Sequence, residues 1–337
     1  MKLLLTGATG FVGFNILLAL LQKQNVDSLL LPVRQVEKLR NRLAAEGIFE
    51  LPKRVCICNS QAPDWELPEK NLKQTTHAIH AAAILFGKDW SDYEMTNIQG
   101  TRNLLKKLPA TTRCVILSSQ AAGGPSASPL SKNILPPKRN ETTPDAPISF
   151  YGKSKQKMES LLPENRDLIA LRPPMVLGAY DTATLPLFKL AKSFIRVKPG
   201  FQTKHFSWIS VDDLVQAIFI CLENKNASKL RSAYLAADSQ ITDRDLVINA
   251  GACLEKNGVI LPLPKKILQL VGTIAGVFPT IQKAVPNFAP DRISEMLADY
   301  WLVDDKIFRK NFDWQPRQDL PHALSSACAY YLRTGML

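Results

Sequence analysis

Thr6-Gly7-Ala8-Thr9-Gly10-Phe11-Val12-Gly13 is the stretch on which the fold turns. It lies between a short apolar run, Lys2–Thr6, and a longer helical pattern, Phe11–Gln24. Glycine has no Cβ, so it reaches positive φ and lets a second backbone or a ligand come close. Gly7, Gly10 and Gly13, spaced G-x-x-G-x-x-G, suit a tight strand-to-helix turn whose amide N–H groups face an anion at a helix N-terminus. As a bare string this spacing is weak. At the end of a first strand and the start of a first helix it points to a pyrophosphate-binding loop. A tight turn with no ligand is the plainer alternative.

Outward from this loop, short apolar runs alternate with helical patterns. Ser28–Val33, Arg54–Cys58, His77–Ala82, Cys114–Ser118 and Leu168–Arg172 are nearly continuous in apolar character, as strands buried on both faces are. Val36–Glu46, Trp90–Leu108, Tyr151–Leu162 and Val211–Glu223 carry helical spacing, the last with Ser210 as N-cap. The alternation predicts an α/β fold, a doubly wound parallel sheet with helices on both faces. Past residue 175, prolines at 186, 199, 262, 264, 279, 286 and 290 break the pattern into short pieces. The expected organisation is a nucleotide-binding domain over 1–175, with 205–225 returning to it. A smaller, irregular C-terminal substrate lobe covers 176–337. Thr242-Asp243-Arg244-Asp245 has the form of a capping box opening a helix toward Cys253.

The composition is that of an ordinary globular chain: 337 residues, 46% hydrophobic and 21% charged, which excludes disordered and fibrous classes. No stretch approaches the ~20 apolar residues of a membrane span. Six cysteines in such a length are no disulfide framework and favour a reducing, cytoplasmic setting. The formal charge of +12 would suit nucleic acid, a membrane surface or phosphorylated ligands, and does not choose among them.

Tyr151 and Lys155 stand four apart at the start of a helix and so share a face. A free tyrosine has a pKa of ~10, and a nearby cation favours its phenolate. Ser118 and Ser119 close the fifth strand, at the carboxyl edge where such sheets place ligands.

With these motifs in place the chain resembles the extended short-chain dehydrogenase/reductases of the epimerase/dehydratase group. The likeness rests on the glycine loop, on Asn97-Ile98-Gln99-Gly100-Thr101, and on Tyr151-Gly152-Lys153-Ser154-Lys155 as the family's Y-x-x-x-K. Leu171-Arg172-Pro173-Pro174 and Trp208-Ile209-Ser210-Val211-Asp212-Asp213-Leu214 are two further landmarks. It covers residues 1–225 well and the remainder loosely. The resemblance implies a Rossmann-like fold and hydride transfer, with Tyr151 as acid/base, Lys155 tuning it, and Ser119 bonding the reacting oxygen. Counting back from Gly124 selects Ser119 over Ser118. Asn97 would complete a proton relay through water, or else cap a local helix kink.

For the cofactor, the resemblance implies contacts from Gly7, Thr9, Gly10, Phe11, Val12 and Gly13, from Asn59, from Ala81 and Ala82 (with Ala83 beside them), and from Tyr151, Lys155 and Pro173. An NAD site usually ends strand two with an acid. Here that strand ends Leu31-Pro32-Val33-Arg34, and Arg34 suits a 2′-phosphate, so NADP is expected, with NAD as the alternative. Cys58-Asn59-Ser60 replaces the acid often found after strand three, which leaves the adenine contacts open.

Several signals are set aside. Cys56-x-Cys58 and His77-x-x-His80 imitate a metal site, but strand residues three apart point oppositely. G-x-S-x-G is absent. Lys189, Lys192, Arg196, Lys198 and Lys204, with Phe194, Phe201 and Phe206 among them, imitate a nucleic-acid stripe and read better as a solvated face, so no nucleic-acid partner is expected.

From Ile267 to Phe278 only Gln269 and Thr273 are polar, after Lys265 and Lys266. This segment is read as a lobe-core helix, or as one lining the substrate cavity or resting on a membrane surface. Some likeness to hydroxysteroid dehydrogenases and dihydroflavonol reductases points the same way. The expectation is an NADP-dependent oxidoreductase acting on a carbonyl or secondary alcohol of a bulky, largely apolar small molecule. A nucleotide-sugar epimerase or dehydratase without net redox is the first alternative, and a non-catalytic NADP-binding regulator the second. Peripheral membrane contact and a homodimer are the further partner expectations.

Overall fold

The computed structural model describes residues 1–129, 131, 134–224, 230–264 and 290–337. The apolar segment 267–278, with Lys265 and Lys266, lies outside the described residues, and so does the cavity- or membrane-facing role read from it.

A seven-stranded parallel sheet forms the centre. Its strands are β1 (Lys2–Thr6), β2 (Ser28–Val33), β3 (Val55–Asn59), β4 (His77–His80), β5 (Arg113–Leu117), β6 (Leu168–Arg172) and, further along the chain, Ser232–Tyr234. The spatial order is β3-β2-β1-β4-β5-β6 and then Ser232–Tyr234. It reverses between β1 and β4, and ligands in open α/β sheets lie at that point, beyond the carboxyl ends of the strands.

Side chains alternate across each strand, and the cores follow. Leu3 and Leu5, Leu29 and Leu31, Val115 and Leu117, and Ile169 and Leu171 join one core. Leu4, Leu30, Cys114, Ile116, Leu168 and Ala170 join the other. The first core is closed by α1 (Phe11–Gln22) and by the helix Val211–Glu223, which returns from the second half of the chain to pack on α1. Phe308, Phe312 and Trp314, from near the C-terminus, also enter it. The second core takes Leu104 and Leu105 of the helix Gly100–Lys107 and Met158 of the helix Phe150–Ser160.

The remaining chain builds a smaller lobe around Leu177, Phe188, Trp208, Leu246, Leu320, Leu324 and Tyr331. The Thr242–Asp245 capping box is present and opens the helix Asp243–Cys253. Ser210 caps the helix Val211–Glu223 by accepting from the Asp213 amide at 2.9 Å.

Three expectations are corrected in detail. The third helical pattern, Trp90–Leu108, contains a π-helical segment at Glu94–Gln99 between the α-helices Trp90–Tyr93 and Gly100–Lys107. β4 stops at His80, and the backbone of Ala81 and Ala82 beyond it packs against Gly7 of the glycine loop. The basic run is not one solvated face. Lys189 and Lys192 are exposed, but Arg196, Lys198 and Lys204 are only 2%, 5% and 2% exposed. Lys198 pairs with Asp243 at 2.9 Å, Arg196 donates to the carbonyls of Ser193, Val247 and Lys256, and Lys204 donates to the Met296 carbonyl.

Candidate active site

Beyond the end of β1, Gly7 has φ +77°, and a Cβ there would lie 2.6 Å from the Ala81 carbonyl carbon and 2.7 Å from the Ala82 nitrogen. A Cβ on Gly13 would lie 2.1 Å from the Gly7 oxygen. Both positions need glycine because backbone packs directly on backbone. Thr6 Oγ1 accepts from the Ala82 amide at 3.2 Å, which fixes the β4 end against the loop. Gly10 is the N-cap of α1 and offers no side-chain oxygen to it. The first-turn amides of Phe11, Val12 and Gly13 are thus left to an anion.

Arg42 of α2 (Val36–Ala44) donates to the Thr9 carbonyl at 2.6 Å while its guanidinium lies over the Phe14 ring at 4.1 Å. It anchors the back of the loop. No local pattern announces it, since Phe14 and Thr9 lie 28 and 33 positions away in the chain (42 − 14, 42 − 9).

Arg34 is exposed at the end of β2 and borders an open hollow of about 830 Å³. Lys38, Asn41, Arg42 and Asn59 also line it. Beside Asn59, the Ser60 hydroxyl is buried and has no hydrogen-bond partner among the described residues. Buried polar groups are seldom left so, and a bound ligand would account for it.

The two serines after β5 separate by their partners. Ser118 is buried and donates to Glu159. Ser119 caps the short helix Gln120–Gly123, accepting from the Ala121 amide at 3.1 Å, and its hydroxyl favours the Tyr151 phenolate. Only Ser119 is thus presented to the tyrosine. The Pro173 carbonyl accepts from the Gln120 amide at 2.9 Å and holds this turn against β6.

Tyr151 lies in the helix Phe150–Ser160 and is 8% exposed. Burial pushes its hydroxyl up to about 12, against the opposing Arg292 charge and the Ser119 hydrogen bond. At neutral pH it holds its proton. Lys155 is buried one turn on and donates to the Leu117 carbonyl at 2.6 Å. Burial pushes it down to about 8, with Glu159 resisting, so it keeps its charge at neutral pH.

Asn97 sits in the π-helical segment, 1% exposed. Its Oδ1 accepts from the Ile84 amide at 2.9 Å, and its Nδ2 donates to Ser154 Oγ at 2.9 Å and to the Ile84 carbonyl at 3.2 Å. Both amide ends are committed to tying the loop after β4 to the tyrosine helix. This is the helix-kink role, and none of these hydrogen bonds goes to Lys155. His80 is a core residue held by Thr6 and Thr101 at 2.8 and 2.9 Å. Burial, aided by the Lys155 charge, pushes it down to about 3, so it is neutral.

A buried ionic cluster backs the site. Arg172 Nη1 and Nη2 donate to the two Asp145 oxygens, each at 2.8 Å. Nε and Nη2 donate to Glu159 at 2.7–3.1 Å, and Nη1 also reaches the Tyr234 hydroxyl at 3.0 Å. Burial opposes the Arg172 charge, and the two carboxylates more than offset it, so its pKa moves up. Through Glu159 this cluster fixes Ser118 and the helix of Tyr151 and Lys155. In the sequence Arg172 stands out only as a landmark, and no motif marks Arg292 or Glu159.

Lys155→Met gives a signed test of this burial. The ordinary lysine value is 10.5 and the folded value about 8, so the unfolded chain binds the extra proton between them. This group's burden on stability is therefore full below pH 8 and fades as pH rises to 10.5. Thermal unfolding of Lys155→Met should show a gain of about 1–3 kcal/mol at pH 7 that shrinks above pH 8. A loss at pH 7 growing with pH would contradict it.

Comparison with known proteins places these features in one lineage. Residues 3–237 match the model of the NAD dependent epimerase/dehydratase family. A UDP-glucose 4-epimerase from Vibrio cholerae is 26% identical, over 99% of this chain and 96% of its own length. UDP-glucuronic acid 4-epimerase from Bacillus cereus, solved with UDP-glucuronic acid and NAD, superposes with a TM-score of 0.72 at 18% identity, covering 100% of both chains. dTDP-glucose 4,6-dehydratase from Bacillus anthracis, solved with NAD, gives 0.71 at 17% identity over 99% of this chain and 97% of that one. Both structures share the seven-strand Rossmann-like architecture. With two thirds of its length under the family model and the glycine loop, Ser119, Tyr151 and Lys155 assembled at the sheet's switch point, this chain belongs to the NAD dependent epimerase/dehydratase family.

Proposed function

We propose that the chain carries out epimerase- or dehydratase-type chemistry at a secondary hydroxyl of a nucleotide sugar, with no net redox. The observation that carries this reading is the Ser119–Tyr151 hydroxyl pair, set beside a buried lysine at the end of β5 in a chain of this family. The alignment of a UDP-glucose 4-epimerase along 99% of the chain supports the substrate class. The reading of a bulky apolar carbonyl substrate rested on 267–278, outside the described residues, and has less support than this alternative. A non-catalytic regulator would have no use for the Ser119–Tyr151 pair.

The Gly7–Gly13 cradle, the uncapped start of α1 and the partnerless Ser60 hydroxyl fit a dinucleotide. Gly7 to Gly13 would hold the pyrophosphate, and Asn59, Ser60 and Arg34 the adenosine end. When bound, the nicotinamide supplies reversible hydride acceptance. The chain's own part is proton transfer. Tyr151 takes the proton of the reacting hydroxyl and returns it, Ser119 hydrogen-bonds the same oxygen, and Lys155 supplies a fixed positive charge behind them.

The finer assignment is NADP. Arg34 and Lys38 border one hollow, and both can pair with a 2′-phosphate. Arg34→Ala should weaken NADPH binding roughly tenfold or more and leave NADH binding within a few-fold, measured by calorimetric titration. Equal losses for both, or tighter NADH binding in the unaltered protein, would assign NAD instead.

A further inference from the structure

We propose that Arg292 is a positioning residue for proton transfer, whose guanidinium holds Tyr151 ready to act as a base. This rests on the reading of Tyr151 as the acid/base. Lys155, which the resemblance puts in that role, donates at 2.6 Å to the Leu117 carbonyl, not to the Tyr151 hydroxyl. The cation placed on the tyrosine is Arg292, its guanidinium carbon 5.0 Å from the Tyr151 ring centroid and 5.6 Å from that of Phe86. Both distances are within the ~6 Å reach of a cation–π contact, and such a contact strengthens when the ring becomes a phenolate.

Arg292 arrives on a segment that grips the tyrosine helix at its start. Ser149, the N-cap of the helix Phe150–Ser160, contacts Glu295. Ser294 Oγ donates to the Ile148 carbonyl at 3.1 Å, and Trp301 Nε1 donates to the Glu295 carbonyl at 3.2 Å. Arg292 Nη1 lies 2.7 Å from Glu295 Oε2, an ion pair outside hydrogen-bond alignment. Burial raises the Tyr151 hydroxyl most, and a charged pair on the helix Pro290–Leu297 adjusts it, with Arg292 favouring the phenolate and Glu295 opposing it. Around the same ring stand Tyr93, which opposes ionisation, and Ser119, which favours it. Lys155 is one turn along Tyr151's own helix, with neutral His80 beyond it. This makes the C-terminal lobe a contributor to the proton-transfer group and not only a cover over the substrate.

The test is a phenolate absorbance titration of the cofactor-free protein, using Tyr151→Phe to subtract the other tyrosines. Arg292→Met should move the Tyr151 midpoint up by about one pH unit, and Arg292→Lys should restore most of it. Glu295→Gln keeps an acceptor for Ser149 and should move the midpoint down. Below that midpoint, base-dependent turnover of Arg292→Met should fall about tenfold in kcat with KM within a few-fold. Unchanged midpoints in both variants would overturn the proposal. So would a raised KM with unaltered kcat and midpoint, which would make Arg292 a substrate anchor. The titration uses no substrate, so its outcome stands apart from the nucleotide-sugar reading. That reading falls separately, if no nucleotide sugar is converted.

Discussion

Tyr151→Phe should lower turnover by about 10²–10⁴-fold while cofactor affinity stays within a few-fold of the unaltered protein. The phenol is buried against Ala121, Tyr93, Ile84 and Leu85, so removing one oxygen leaves the ring's packing in place. What disappears is the group that takes and returns the proton, while Ser119 stays in place. Ser119 has its own hydroxyl but also accepts from the Ala121 amide, so it is a poor substitute. Steady-state rates with the substrate, beside calorimetric cofactor binding, check the prediction. A loss smaller than tenfold would mean that another group moves the proton.

Arg172→Met should destabilise the fold by about 3–5 kcal/mol. The arginine is 5% exposed and is shared by Asp145, Glu159 and Tyr234. Methionine keeps an apolar stem but is shorter, and it leaves two carboxylates, with 23% and 10% side-chain exposure, without their shared cation. Removing one partner of a buried ionic group is far more damaging than replacing the whole group. The triple change of Arg172→Met with Asp145→Asn and Glu159→Gln should therefore recover much of the loss. Urea unfolding of the two variants measures both, and an Arg172→Met protein within 1 kcal/mol of the parent would show the cluster to be incidental.

Much of this architecture was legible in the chain, for physical reasons that also mark where legibility ended. Lys2–Thr6, Ser28–Val33 and Leu168–Arg172 coincide with strands because a parallel strand covered on both faces must be apolar throughout. The glycine loop could be read because Gly7 and Gly13 answer to local backbone geometry. Ser232–Tyr234 went unseen, as three residues carry no periodic signal, and it enters the sheet only because β6 offers it an edge. The π-helical turn at Glu94–Gln99 is dictated by Asn97 reaching Ile84 and Ser154, a tertiary demand invisible in helical spacing.

The candidate site divides in the same way. Ser119, Tyr151 and Lys155 are the candidates that motif spacing and the family resemblance offer, and the structure brings them to one strand end. Counting back from Gly124 selects Ser119 over Ser118, and the structure adds a reason the spacing does not hold, since Glu159's claim on Ser118 spans 41 residues of sequence. Arg292 lies far from the motif and has no fixed spacing to it. Its place over Tyr151 is a property of the assembled lobe.

The most direct test of the central claim follows the sugar itself. The protein, supplied with NAD or NADP, would be incubated with UDP-glucose, UDP-glucuronic acid and dTDP-glucose in turn. Proton NMR of the sugar ring and cofactor absorbance would be recorded over time. The account predicts that at least one nucleotide sugar is converted to an epimer or a dehydrated product while reduced cofactor does not accumulate, and that Tyr151→Phe abolishes the conversion. No change in any nucleotide sugar, together with stoichiometric consumption of NADPH by hydrophobic ketones, would contradict it.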